Sequence, residues 1–322
     1  MIINERNIKI WSTIGSRATL GMAALELAKE IENLMVLTCD VSTSAGLDRY
    51  KKTYPDKYLD VGIAEQNLIG VAAGLASENF NVITTTFAPF QTMRCCEQIK
   101  VNLGYMNQKV CLVGIASGLA LGTLGFTHCC IEDIGVLRSI PGLTIISPAD
   151  SLETVKALEA AVKHNGPTYL RLTGTSNNPI VYAKDYDFKI GESIELRDGN
   201  DVSIFCTGTM VHASLEAAKI LEKEKISCKV INIHTIKPID KKAIESSCDS
   251  NLIVSIEEHN IIGGLGSAVA EHLSKLNKKP KQLFLGIDDT YGKGGEYNFL
   301  LEKHGLTPKK IVNEILLNYK KL

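Results

Sequence analysis

The chain has 322 residues, 45% of them hydrophobic, enough for two domains each with its own core. Its 35 Lys and Arg against 36 Asp and Glu leave a formal charge of -1, which gives no electrostatic reason to expect nucleic acid as a partner. The N-terminus MIINERNIKIWS lacks the apolar run of a signal peptide and no stretch of about 18 apolar residues is present to span a bilayer, so the expected location is cytoplasmic. The nine cysteines fall as Cys95-Cys96, Cys129-Cys130 and scattered singles rather than at CxxC spacing, and they read as reduced thiols.

In chain order, the helical segment GSRATLGMAALELAKEIEN (15–33) places Leu20, Ala24, Leu27 and Ile31 on one face. Strands are predicted at LMVLTC (34–39), NVITTTF (81–87), KVCLVGIA (109–116), LTIISP (143–148) and PTYLRL (167–172), alternating with helical patterns as in a parallel sheet covered by helices. After Arg171 a polar, turn-rich stretch marks a domain connection, with the boundary near residue 188, giving domains 1–188 and 189–322. A second series follows: VSIFCTG (202–208), a helix from 210 to 224, CKVINI (228–233), NLIVSIEE (251–258), a helix after GGLG (263–266) and QLFLGI (282–287). The fold class is α/β, with two domains each built on a parallel sheet.

Three segments carry candidate chemistry. In DVGIAEQNLIGVAAGLA (60–76), Glu65 sits in the first turn of a helix, where a carboxylate suits both capping and the macrodipole. In TTTFAPFQTMRCCEQI (84–99), Phe87 and Phe90 stand three residues apart after a strand, as core residues or as the walls of an aromatic pocket. In GTLGFTHCCIEDIGVLRSIPG (122–142), His128 is a candidate for acid-base work, a loop residue or a metal ligand, and no second ligand pair stands at metal spacing.

These segments together resemble the transketolase family, whose relatives include deoxyxylulose phosphate synthase and the beta subunits of 2-oxo acid dehydrogenases. The first matches the GIAEQN-type motif, the second the STF-x-x-F region and the third the G-x-TH-Q-x-x-E-D stretch. SIEEHNIIGGLGSAVAE (255–271) and GIDDTYGKGGEY (286–297) extend the likeness through a transketolase C-terminal-like domain. The resemblance implies thiamine diphosphate as cofactor. Glu65 would bond a ring nitrogen of its aminopyrimidine, which sets the tautomer that activates the thiazolium carbon. Phe90 would stack on the pyrimidine beside Phe87, and Met93 stands where a tyrosine is common. His128 would face the reacting carbon. Arg17 in GSRATL, Ser44 in CDVSTSAG and Arg171 in PTYLRLTG would hold the anionic tail of a sugar, for which a guanidinium fork is suited.

Two features depart from the family pattern. Ala116 and Leu124 stand where members that use ordinary sugar phosphates carry a histidine and an aspartate, so a modified sugar or another terminal anion is expected. The sequence also has no GDG, the start of the motif that ligates magnesium and the diphosphate. The resemblance therefore implies a partner, an N-terminal transketolase subunit that carries the Mg2+ and diphosphate site, in a two-plus-two heterotetramer. The expected activity is transfer of a two-carbon ketol unit from a ketose donor to an aldose acceptor. A 2-oxo acid dehydrogenase beta subunit and a non-catalytic transketolase-like subunit are the alternatives.

Overall fold

The computed structural model describes residues 1–321. Its first half lays down β1 (Leu34–Thr38), β2 (Tyr58–Asp60), β3 (Asn81–Phe87), β4 (Val110–Ser117), β5 (Thr144–Ile146) and β6 (Thr168–Thr173). The second half adds β7 (Ile194–Arg197), β8 (Val202–Cys206), β9 (Cys228–Asn232), β10 (Thr235–Lys237), β11 (Leu252–Asn260) and β12 (Lys281–Ile287). These form a seven-stranded sheet in the order β10-β5-β6-β4-β3-β1-β2 and a five-stranded sheet in the order β12-β11-β8-β9-β7. Both are parallel apart from one antiparallel edge strand each, β10 against β5 and β7 against β9. This is the α/β architecture expected from the sequence.

The long strands form where the sequence is continuously apolar, because helices cover both faces of a parallel sheet. All eight positions of β4 and all six of β6 are buried. The first sheet borrows its edge strand β10 from the second half of the chain. Ser147 N–H donates to the His234 carbonyl at 2.7 Å beside that junction, so the two halves share backbone hydrogen bonds.

The first helix starts earlier than its periodicity implied. It runs Glu5–Glu30, opened by the Asn4 side chain accepting from Asn7 N–H, and is broken at Gly15, where φ is 81° and ψ is 172°. A Cβ at Gly15 would lie 2.5 Å from the Thr175 carbonyl oxygen, so only glycine lets this turn close on the loop after β6. Leu20, Ala24 and Leu27 face the core as expected.

Candidate active site

Glu65, Phe90 and His128 follow the carboxyl ends of parallel strands, where ligands of open α/β sheets bind. After β2, Asp60 Oδ1 accepts from Asp40 N–H at 2.9 Å and from Gly62 N–H at 3.0 Å, which closes the turn into the helix Glu65–Ser77. No side chain caps this helix, and Glu65 is its first residue. Leu68, Ile69 and Ala72 anchor the helix in the core, and Glu65 is only 5% exposed at the head of that buried face. An open pocket of about 430 Å³ is lined by Ile63, Ala64, Glu65, Gln66, Asn67 and Arg94.

After β3, the short helix Ala88–Gln91 is tied back to the strand by Gln91 Nε2 donating to Thr84 Oγ1 at 2.8 Å. Phe90 is thereby held 6.5 Å from Phe87, ring centre to centre, at 82°. Its other aromatic neighbour is His128, 5.5 Å away at 74°. Sequence reasoning missed the residue that joins these groups to Glu65. Arg94 donates from Nη1 to Glu65 Oε1 at 2.7 Å and lays its guanidinium carbon 4.1 Å from the centre of the Phe90 ring. Its only signal in the sequence is its place four residues after Phe90. Met93, beside it, is exposed.

His128 lies on the loop after β4. That loop is pinched by reciprocal backbone hydrogen bonds between Gly118 and Cys130 at 2.8 and 2.9 Å, and Thr127 Oγ1 lies 3.0 Å from His128 Nδ1. The second half of the chain holds it in place. Glu258, fully buried at the end of β11, accepts from Leu119 N–H at 2.7 Å through Oε1, and from Thr209 and Tyr297 hydroxyls at 2.6 Å through Oε2. A Cβ at Gly118 would stand 2.2 Å from Glu258 Oε1, so this contact requires glycine. Gly295 N–H donates to the Gly122 carbonyl at 2.9 Å, and Tyr291 donates to Glu132 at 3.0 Å. The segments 255–271 and 286–297, singled out in the sequence, thus brace the His128 loop.

The expected anion contacts divide. Arg17 is half-buried, with its pKa lowered by desolvation, and no acidic side chain pairs with it among the described residues. Ser44 is exposed in the turn that packs on the same helix, where Gly46 approaches Ala18 and the Arg17 carbonyl. Arg171 requires correction. It is 1% exposed on β6, donates from Nε to Asp133 Oδ2 at 2.8 Å, and spends Nη2 on the Glu258 and Cys130 carbonyls and Nη1 on Thr173. Burial works against its charge, but Asp133, Tyr169 and Glu258 more than offset this and leave its pKa raised. A guanidinium so enclosed does not reach a sugar. Ala116 is buried at a register shift in β4 with φ 53°, and Leu124 is exposed on the His128 loop.

All nine cysteines are free. Burial pushes the thiols up, Cys129 to about 11 and Cys95 to about 12, which leaves them poor nucleophiles near neutrality. No three His, Cys, Asp or Glu side chains are grouped as metal ligands among the described residues, and no helix is long and apolar enough to cross a membrane.

Two family models match this chain, the transketolase pyrimidine binding domain over residues 12–178 and the transketolase C-terminal domain over residues 191–311. The chain belongs to the transketolase family. It is similar to a 6-deoxy-6-sulfo-D-fructose transketolase subunit of Clostridium sp. (strain MSTE9), 37% identical over 289 residues and covering 89% of each chain. It is also similar to an apulose-4-phosphate transketolase subunit of Phocaeicola vulgatus, 34% identical over 310 residues, covering 96% of this chain and 98% of that one. Among solved structures, a split-gene transketolase described as an inactive beta4 tetramer superposes with a TM-score of 0.86 at 35% identity, covering 95% of this chain and 98% of that one. All three match this transketolase-family chain over both of its sheets, and the lengths of the relatives correspond to its own.

Proposed function

We propose that this chain is the pyrimidine-binding and C-terminal subunit of a two-chain, thiamine diphosphate-dependent transketolase that moves a two-carbon ketol unit from an anionic ketose to an aldose. The observation that carries the reading is that Glu65, Phe90 and His128, from three segments separated by 25 and 38 positions in the sequence, come together in one run of contacts through Arg94, beside an open pocket lined by Glu65 and Arg94. The donor set fits the aminopyrimidine end of the cofactor: a nearly buried carboxylate to accept from a ring nitrogen, beside an aromatic ring on which a flat heterocycle stacks. It does not fit the diphosphate end, because no carboxylate cluster for Mg2+ lies among the described residues, and that function falls to the partner subunit.

When bound, thiamine diphosphate would supply the electron sink that lets a carbon-carbon bond beside a carbonyl break. The chain's own residues do the rest. Glu65 orients the pyrimidine and fixes its protonation pattern at one ring nitrogen. Phe90 and Phe87 set the plane of the ring and exclude water from one side. His128, steadied through Thr127, hydrogen-bonds the substrate oxygen and moves a proton at its imidazole. Arg17, without an acidic partner among the described residues, takes the anionic tail together with Ser44. Leu124, apolar and exposed on the His128 loop, favours a donor without the usual hydroxyl contact, and the two relatives named for 6-deoxy-6-sulfo-D-fructose and for apulose 4-phosphate support an anionic sugar other than an ordinary one here.

The test is a calorimetric titration of thiamine diphosphate with Mg2+ into the chain alone and into its assembly with a transketolase N-terminal subunit from the same organism. Tight binding is expected in the assembly alone, lost in Glu65→Gln together with ketol transfer. Full turnover by Glu65→Gln would overturn the assignment.

A further inference from the structure

Arg94 makes the same two contacts that the proposed reading gives to the cofactor's pyrimidine. It bonds the Glu65 carboxylate at 2.7 Å and covers the Phe90 ring at 4.1 Å, a stacking distance. A guanidinium and an aminopyrimidine are alike in shape: flat, delocalised, and edged with N–H groups that point at a carboxylate. Both cannot occupy one place. The remaining aromatic neighbours of Phe90, Phe87 and His128, stand across it at 82° and 74°, so neither of them is stacked flat on the ring as Arg94 is placed to be.

We infer that Arg94 is a stand-in for the cofactor: its guanidinium holds Glu65 and Phe90 in their working geometry until thiamine diphosphate displaces it. This rests on the pyrimidine-binding reading of Glu65. The physical need is plain, since a carboxylate 5% exposed must have a charged or hydrogen-bonding partner. Gln66 Nε2 donates to the Arg94 carbonyl at 3.2 Å, which tethers the backbone and leaves the side chain free to swing. The arrangement is displaceable because Arg94 is itself 44% exposed and water can take over its charge. With the arginine end of the pair open to water, the ion pair and the cation-π contact together set a competition against the cofactor of about tenfold.

The experiment uses the assembly of this chain with its diphosphate-binding partner subunit, titrated with thiamine diphosphate and Mg2+. Arg94→Leu is expected to tighten cofactor binding about tenfold and to lower the melting temperature of the chain without cofactor, where Glu65 loses its partner. Arg94→Lys, which keeps the charge without the flat fork, is expected to fall between. A second readout needs no variant. Phenylglyoxal modification of Arg94, followed by mass spectrometry, is expected to accelerate when cofactor is added to the assembly. Unchanged or weakened cofactor affinity in Arg94→Leu, or protection of Arg94 by cofactor, overturns the stand-in role. Glu65→Gln run beside it separates the two readings. If that variant binds cofactor as tightly as the parent, the pyrimidine assignment has failed, whereas weakened binding there with no gain in Arg94→Leu condemns the stand-in alone.

Discussion

Replacing Arg171 by methionine tests whether this arginine holds the fold or the substrate. The side chain and its partner Asp133 are 1% and 0% exposed, and Asp133 Oδ2 also accepts from the Tyr169 hydroxyl at 2.7 Å. Removing the guanidinium leaves a carboxylate in a dry interior with one neutral donor, and breaking a buried pair in this way costs about 3–5 kcal/mol. The Glu258 and Cys130 carbonyls lose their donor as well, which loosens the junction between the two halves of the chain. For a chain of 322 residues the loss corresponds to a fall of about 4–7 °C in melting temperature. Urea denaturation and calorimetry of the chain alone should register it, and the double variant Arg171→Met with Asp133→Asn should recover part of the loss because no unpaired charge remains. If Arg171→Met melts like the parent and instead raises KM for an anionic donor with kcat unchanged, Arg171 is a substrate contact and the reasoning from burial is refuted.

His234 gives a pH test of the same junction. Burial lowers its pKa from 6.5 to about 4, against small opposing effects of the Glu192 backbone and Asp240, while its ring packs 4.3 Å from Phe188. The folded state therefore favours neutral imidazole: its contribution is complete above pH 6.5 and is lost as pH falls from 6.5 toward 4, by about 3 kcal/mol in all. Stability curves of parent and His234→Gln should separate over that window, the parent gaining on the variant as pH rises, and parallel curves would refute the assignment. Burial raises Asp150 to about 6, which acts with the opposite sign over an overlapping range, so the difference curve and not the parent curve alone is the observable. Leu124→Asp places a carboxylate at an exposed position, so stability should change by less than about 0.5 kcal/mol while kcat/KM for an ordinary ketose phosphate rises about tenfold. No gain with any ketose phosphate would remove Leu124 from substrate choice.

The sequence made the long strands readable because a strand buried on both faces is an uninterrupted run of Val, Ile and Leu, as in KVCLVGIA. The short strands β2, β7 and β10 span three or four residues, too few for any period to register, and they lie at sheet edges fixed by tertiary contacts. Glu65, Phe90 and His128 were readable because each sits in a segment whose local pattern matches a family. Arg94 was not, since its value lies in a pairing across 29 positions that no local pattern encodes. Arg171 carried a warning that family likeness hid. It interrupts PTYLRL, and in a strand covered on both faces an arginine has no solvent side to occupy, so it must be paired inside.

The same contacts give a physical reason for two sheets in one chain. Glu65, Phe87 and Phe90 follow strands β2 and β3 of the first sheet, and each stands at or beside a short turn into a helix. His128 differs: its loop leaves β4 at Gly118 and returns at Cys130 with few contacts to its own sheet beyond that pinch. An imidazole doing the acid-base work we propose for His128 needs outside support on such a loop, because a displacement of about 1 Å is enough to weaken it. Glu258, Tyr291 and Gly295 provide it from the second half, while β10 and the Arg171 carbonyl contacts fix that half against the first sheet. The C-terminal domain therefore supports the proposed site by bracing the His128 loop. Disturbing Glu258 should reach the chemistry through the position of His128 alone, leaving Glu65 and Phe90 in place.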